Sequence, residues 1–349
     1  MATIFHLVAH RNLALGSQRL HTTTVAFYNA PPHRGPASDH FDGTRFRNTD
    51  RSIGHATAPS LLEWMLNRDM GPWQRIDQPP GPKPVVEVAR GACRVTLVGH
   101  ATLLVQMHGL NMLTDPVWAT RIGPVSWAGP KRYRAPALRF DELPPIHLVL
   151  LSHNHYDHLC LPTMRRLWAE HRAPVVTGLG NAALLKQHGI ENVVELDWWQ
   201  TQMVGDVEIT GVEMQHFSGR GPTDRDVTLW MGLTVHHPDG QVLFCGDTGY
   251  GEHFTRIRER VGSPRVALIP IGAFRPRWFM KRVHVDPHEA VQAHLDLGAD
   301  RSVAMHYGTF KLADDGMDEP VRALAEARSE LGVAEEAFRV LEHGHAAEL

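Results

Sequence analysis

The hydrophobic pattern divides the chain near residue 90. Residues 1 to about 90 hold no sustained period, and Pro31-Pro32, Gly35-Pro36, Pro79-Pro80 and Gly81-Pro82-Lys83-Pro84 interrupt them. One helix is predicted there, between Ser60 and Arg68. Its apolar positions are Leu61, Leu62, Trp64, Met65 and Leu66, and Ser60 is its expected N-cap after Pro59. Such a helix either packs on the main body or faces lipid. From about Arg94 short apolar runs alternate with helical patterns. Val95 to Val98 and Leu103 to Val105 read as paired strands, and Ile146 to Leu151 as a buried one. Pro162 to His171 reads as a helix with proline in its first turn. Further strands are expected at Val207 to Met214, Leu229 to Val235, Gln241 to Cys245, Arg265 to Ile271 and Ser302 to Met305. Helices are expected at Pro287 to Leu297 and Pro320 to Leu331. No internal repeat of solenoid or propeller period is present. The alternation predicts an α/β core of mixed sheets covered by helices. The division is residues 1–90, an irregular extension with a short amphipathic helix, and 91–349, the main domain.

Composition narrows the class without naming the chemistry. The 349 residues are 43% hydrophobic and 21% charged, a soluble globular balance with enough length for a large core. A net charge of -3 gives no polyelectrolyte signature, so nucleic acid is not an expected partner. Three dispersed cysteines, Cys93, Cys160 and Cys245, suggest neither a disulfide framework nor a cysteine-type zinc site. They fit a reducing, cytoplasmic setting. Ile4 to Ala9 is too short for a signal peptide or membrane span, so any membrane contact is expected to be peripheral. The count that changes the picture is 24 histidines, twice the number of Phe or Met.

Those histidines cluster at strand ends. In Ser152-His153-Asn154-His155-Tyr156-Asp157-His158, His153 and His155 are two apart, so at the end of an extended strand they point the same way. Two imidazoles there can grip one cation, and Asp157 and His158 can address a second nearby. Four groups do not complete two sites. His216, Asp247 and His306 each lie just past the carboxyl end of a predicted strand, where α/β proteins gather their sites. Taken singly, His216 or His306 would be ordinary histidines; beside the first motif they become ligand candidates. Five imidazoles and two carboxylates leave room for a bridging water between two divalent ions, with Asp247 able to give one oxygen to each. Nitrogen-rich ligation favours zinc and also admits iron or manganese. Ligand histidines need acceptors that fix their tautomers. Asp115 and His100 are candidates for that outer layer, and each also suits an ordinary turn.

These residues resemble the metallo-β-lactamase superfamily, whose fold is a four-layered αβ/βα sandwich. Its dizinc members carry His-X-His-X-Asp-His, then a distant His, a bridging Asp and a final His. The resemblance implies His153, His155 and His216 on one zinc, Asp157, His158 and His306 on the other, Asp247 shared, and Asp115 behind the ligands. Gly129-Pro130-Lys131-Arg132, Glu142 to Ile146, Glu195 to Trp199, Gly246 to Tyr250, Ile269 to Lys281 and His284 to Pro287 are similar to the N-acyl-phosphatidylethanolamine-hydrolysing phospholipase D family. That likeness covers roughly residues 94 to 345. It implies a zinc-dependent phosphodiesterase that releases N-acylethanolamine and phosphatidic acid, with Tyr156 and His284 contacting phospholipid and His284 and Asp247 serving catalysis. The chain departs from the family before residue 90 and in the Gly-rich segment Phe217 to Arg225. Hydrolysis of a small soluble ester, lactone or phosphodiester, as in ascorbate-6-phosphate lactonase-like proteins, is the alternative; a metal-binding protein without activity is a third reading. The expected partners are a phospholipid or other small-molecule substrate and a peripheral membrane surface, and the pattern leaves a homodimer open.

Overall fold

The structure, a computed structural model, describes residues 29–50 and 58–349. The reading of Ile4 to Ala9 lies outside the described residues. The short helix predicted in the extension is α1 (Ala58–Leu66). It begins before Ser60, which therefore lies inside the first turn and is not its N-cap. Trp64 is its docked residue: the ring stacks on Phe279 at 5.0 Å and the indole N–H donates to Asp314 at 3.1 Å.

Two seven-stranded sheets form the middle of the molecule. The first contains β1 (Cys93–Gly99), β2 (Thr102–Met107), β3 (Leu110–Thr114), β4 (Leu148–Leu151), β5 (Val175–Gly178) and β6 (Val193–Leu196), with β14 (Ala346–Glu348) beside β1. The second contains β7 (Thr201–Val204), β8 (Val207–Val212), β9 (Gly232–His236), β10 (Val242–Phe244), β11 (Val266–Pro270), β12 (Arg301–Met305) and β13 (Phe338–Arg339). Each sheet has the same grammar. Three antiparallel pairings run through β14-β1-β2-β3 and β7-β8-β9-β10. Three parallel pairings follow through β3-β4-β5-β6 and β10-β11-β12-β13. The duplication is one of topology, which a search for sequence periods does not detect.

Alternation along the strands builds the layers. In β2, Leu103, Val105 and Met107 enter the core shared with the second sheet, and Leu104 points to the opposite side. In β4, Leu148 and Leu150 face inward, whereas Val149 and Leu151 face helices α2 (Leu161–His171) and α3 (Asn181–Gln187). The second sheet is covered by α4 (His253–Val261), α6 (Pro287–Leu297) and α7 (Glu319–Leu331), through Phe254, Ile257, Val291, Leu297 and Leu324. A one-turn helix, α5 (Arg277–Met280), precedes α6. The result is the four-layered αβ/βα sandwich that the family resemblance implied. Asp286 and Glu289 form a reciprocal capping box at the start of α6, which fixes where the chain leaves the loop carrying His284.

The pairing directions decide where the site lies. β1, β3 and β4 point one way in the first sheet; β8, β10, β11 and β12 are likewise parallel to one another. Their carboxyl ends carry His100, Asp115, Ser152, His216, Asp247 and His306. Among the described residues, no helix is long and apolar enough to cross a membrane.

Candidate metal centre

The ligand candidates converge. His153 Nε2 lies 2.7 Å from His155 Nδ1, which lies 3.3 Å from His216 Nε2. On the other side, Asp157 Oδ2 lies 3.4 Å from both His158 Nε2 and His306 Nε2. Asp247 stands between the two groups. One oxygen is 3.2 Å from His306 Nε2, and the other is 3.2 Å from His158 Nε2 and 3.7 Å from His216 Nε2. Ring nitrogens and carboxylate oxygens at such separations are spaced as donors around a shared cation, since divalent zinc binds N and O at about 2.0–2.2 Å.

The residues fit a pair of divalent ions on two further grounds. His158 Nε2, His306 Nε2 and Asp247 Oδ1 are buried and make no hydrogen bond among the described residues. Buried polar atoms of native proteins are ordinarily satisfied, so a row of orphans facing one point marks a missing partner. The opposite ring nitrogens are held. Ser152 Oγ lies 2.8 Å from His153 Nδ1, Asp115 accepts from His158 Nδ1 at 2.5 Å, and Val283 O accepts from His216 Nδ1 at 2.9 Å. These bonds leave each Nε2 lone pair toward the cluster.

The outer layer is itself fixed. Asp115 accepts the Ser152 N–H at 2.7 Å and its hydroxyl at 2.6 Å. His100 reaches Asp157 at 3.0 Å. His100, Asp115 and His306 have φ of 60°, 31° and 62°, uncommon for non-glycine residues. Such strain at three strand ends persists only where surrounding packing over-determines it, and it accumulates at sites. Arg220, from the Gly-rich segment, is the residue that sequence reading missed here. It donates to Asn154 O at 2.7 Å and Leu159 O at 2.8 Å, and its guanidinium lies 4.0 Å from the Tyr156 ring centre. It thereby ties down both ends of the ligand loop. Nothing in the local pattern of Phe217 to Arg225 signals that contact.

Taken as protein groups alone, the cluster separates into charged and neutral halves. Burial disfavours an ionised Asp247, but His158 and His306 hold its carboxyl well below the usual range. Burial likewise opposes charge on His306, and the Asp247 and Asp157 carboxylates overcome it, raising the imidazole to about 9. His158 is raised well above its usual value against burial by Asp247, Asp157 and Asp115. Burial pushes the Asp115 carboxyl up, although His158 and Ser152 pull the other way. On the other side, burial and neighbouring histidines keep His153 well below its usual value. Burial, opposed by the Asp157 and Asp247 carboxylates, takes His155 to about 4. His284 sits against the cluster, its Nδ1 3.9 Å from Asp247, and burial takes it to about 4 despite that carboxylate. It is a neutral imidazole at pH 7, and any cation beside it keeps it so.

Gly246 shows how little slack the loop before Asp247 has. Its φ is +63°, and a Cβ there would lie 2.4 Å from Ser152 Cβ and 2.8 Å from Ser152 Oγ. Gly246→Ala should therefore displace Ser152 and loosen both His153 and Asp115. The expected result is about 1–3 kcal/mol of lost stability from backbone strain and roughly 10–100-fold weaker metal binding. Thermal unfolding and metal titration check the two parts. Wild-type values for both would show that Ser152 does not hold the ligands.

Fold and site together define a strand-end histidine-aspartate centre between two mixed sheets. Residues 110–307 match the beta-lactamase superfamily domain, and the chain belongs to that superfamily. It is similar to the N-acyl-phosphatidylethanolamine-hydrolyzing phospholipase D 1 of Caenorhabditis elegans, 38% identical over 228 residues, 62% of this chain and 64% of that protein. It is also 31% identical over 239 residues to a metal-dependent hydrolase of Methanopyrus kandleri, 67% of this chain and 92% of that one. The chain spans less than two thirds of the length of the first curated relatives it matches. Among solved structures, Igni18, a metallo hydrolase of Ignicoccus hospitalis, shares the fold with a TM-score of 0.55 at 22% identity, covering 74% of this chain and 98% of that one.

Proposed function

We propose that this protein is a dizinc phosphodiesterase of phospholipase D type, acting on N-acyl-phosphatidylethanolamine. The observation that carries the two-metal reading is the placement of Asp247, whose one carboxylate reaches both groups: one oxygen lies 3.2 Å from His306, and the other 3.2 Å from His158 and 3.7 Å from His216. His153, His155 and His216 would hold one ion and Asp157, His158 and His306 the other, with Asp247 shared. Two divalent ions supply a hydroxide-strength nucleophile near neutral pH and neutralise charge growing on phosphoryl oxygens. The protein groups orient and exclude. His284, neutral and buried beside Asp247, offers a ring N–H to a phosphoryl oxygen. Tyr156 lines a groove together with Ile122, Pro124, Trp127 and Leu161, a mostly apolar wall. Such a wall suits an acyl chain.

The choice of phospholipid over a small soluble ester or lactone is supported by the similarity to the nematode phospholipase D. A second support is the exposed apolar patch around α1. Leu62, Met65 and Met70 are more than half exposed, Leu66 is 74% exposed, and Trp278 lies nearby through the Trp64–Phe279 stack. An exposed apolar patch of this kind marks a contact surface, here a peripheral one on lipid.

The test is hydrolysis of a panel of N-acylated phospholipids, plain phospholipids and lactones by purified protein, with metal analysis alongside. The proposal expects turnover of the N-acylated phospholipids at two zinc per chain, and His284→Ala should lower that turnover while both metals remain. Turnover of lactones or soluble esters alone would replace the lipid reading, and metal loss in His284→Ala would make that residue structural.

A further inference from the structure

We propose that Asn48, in the segment that precedes both sheets, is a positioning residue for His216. The inference rests on the reading of His216 as a metal ligand. His216 lies in the irregular stretch between β8 and β9, so no strand ladder holds its backbone. Its two main-chain groups go to one side chain instead. The His216 N–H donates to Asn48 Oδ1 at 3.0 Å, and Asn48 Nδ2 donates to His216 O at 2.9 Å. The orientation of the amide follows from its partners, because a peptide N–H only donates and a carbonyl only accepts. With the ring N–H on Val283 O, the residue is fixed at backbone and side chain together.

Asn48 can act this way because the chain before it is anchored. Phe41 and Phe46 are buried in the core shared by the sheets. The Phe46 N–H donates to Asp226 O at 2.8 Å, and the His33 N–H donates to Val227 O at 3.1 Å. His40 bonds Asp197 at 2.7 Å and stacks on Trp198 with centroids 4.5 Å apart. These contacts fasten the segment to the chain just past the Gly-rich loop and to the connection between β6 and β7, and Asn48 is the point where that anchorage reaches a ligand. A primary amide is needed there. Alanine loses both bonds, and aspartate keeps the acceptor but cannot donate to His216 O. An outer-layer contact of this kind is worth roughly 10–100-fold in metal affinity.

The test uses the full chain with Asn48→Ala and Asn48→Asp, titrated with zinc and separately with cobalt(II). The inference expects one of two metal equivalents to bind about 10–100-fold more weakly and to leave faster for a chelator in N48A. The other equivalent stays near wild type, the visible cobalt spectrum changes, and N48D falls between the two. Unfolding of the metal-free proteins controls for a general loss of structure; should N48A fail to fold, N48D alone carries the comparison. Two equivalents with wild-type affinity and an unchanged cobalt spectrum in the folded variants would overturn the role of Asn48. So would equal weakening of both equivalents, which is the mark of a merely structural effect. A wild-type protein that binds neither zinc nor cobalt would overturn the metal reading itself, and this inference with it.

Discussion

Asp247→Asn should lower hydrolysis by at least about a thousandfold, the scale expected when a dominant electrostatic contribution leaves a closed site. The substitution keeps the shape of a side chain that is 4% exposed, so the fold should persist. It removes the carboxylate that reaches both ligand sets, at 3.2 Å from His158 and His306 and 3.7 Å from His216. An amide offers a single neutral oxygen, which cannot serve two cations. Metal analysis should therefore show one ion held weakly, with circular dichroism unchanged. Turnover equal to wild type would show that Asp247 does not join the two halves of the site.

Metal removal is the second large effect, and its pH dependence has a definite sign. His158 and His306 have raised values in the folded protein, so their pairing with Asp247 and Asp157 contributes fully below the unfolded histidine value of about 6.5. That contribution is lost as pH rises through the folded values, near 9 for His306. Asp157 and Asp247 are depressed, so their contribution is present above the ordinary carboxylate value and lost as pH falls through the lowered ones. His153, His155 and His284 are lowered, so below about pH 6.5 the unfolded chain binds protons that the folded one does not; the metal-free protein should thus be most stable near pH 6.5 and weaken toward pH 9 and toward acid. Metal binding runs the other way, since it needs the histidines deprotonated and releases their protons. Each site at a thousandfold excess over its Kd adds about 4 kcal/mol, or roughly 10 °C for a large domain. The gap between loaded and stripped protein in thermal unfolding should widen from pH 6.5 to 9. A gap that narrows over that range would contradict the assignment of charge within the cluster.

What could be read from the sequence was what strands write locally. Each strand of the second sheet that reaches the site is an apolar run followed within a few residues by His216, Asp247 or His306, and the pattern needs no partner to be visible. The short edge strands β7, β13 and β14 were not visible, because three exposed positions in Thr201–Val204 and two or three residues elsewhere carry no period. The relation between the sheets was hidden for another reason: matching pairing order leaves no matching residues. Contacts made across long sequence separations were equally silent. Asn48 meets His216 from 168 positions away, and Arg220 closes a loop 61 to 66 positions back. Ser60 misled because an N-cap signal inside the first turn looks the same in one dimension as one at its start.

The central claim is that two ions held by these seven side chains perform the hydrolysis. It is tested most directly by stripping the protein with a chelator and titrating zinc back while following cleavage of N-acyl-phosphatidylethanolamine. The account predicts no turnover without zinc and a rise that saturates at two equivalents per chain. Full turnover in the stripped protein, or saturation at one equivalent, would contradict it.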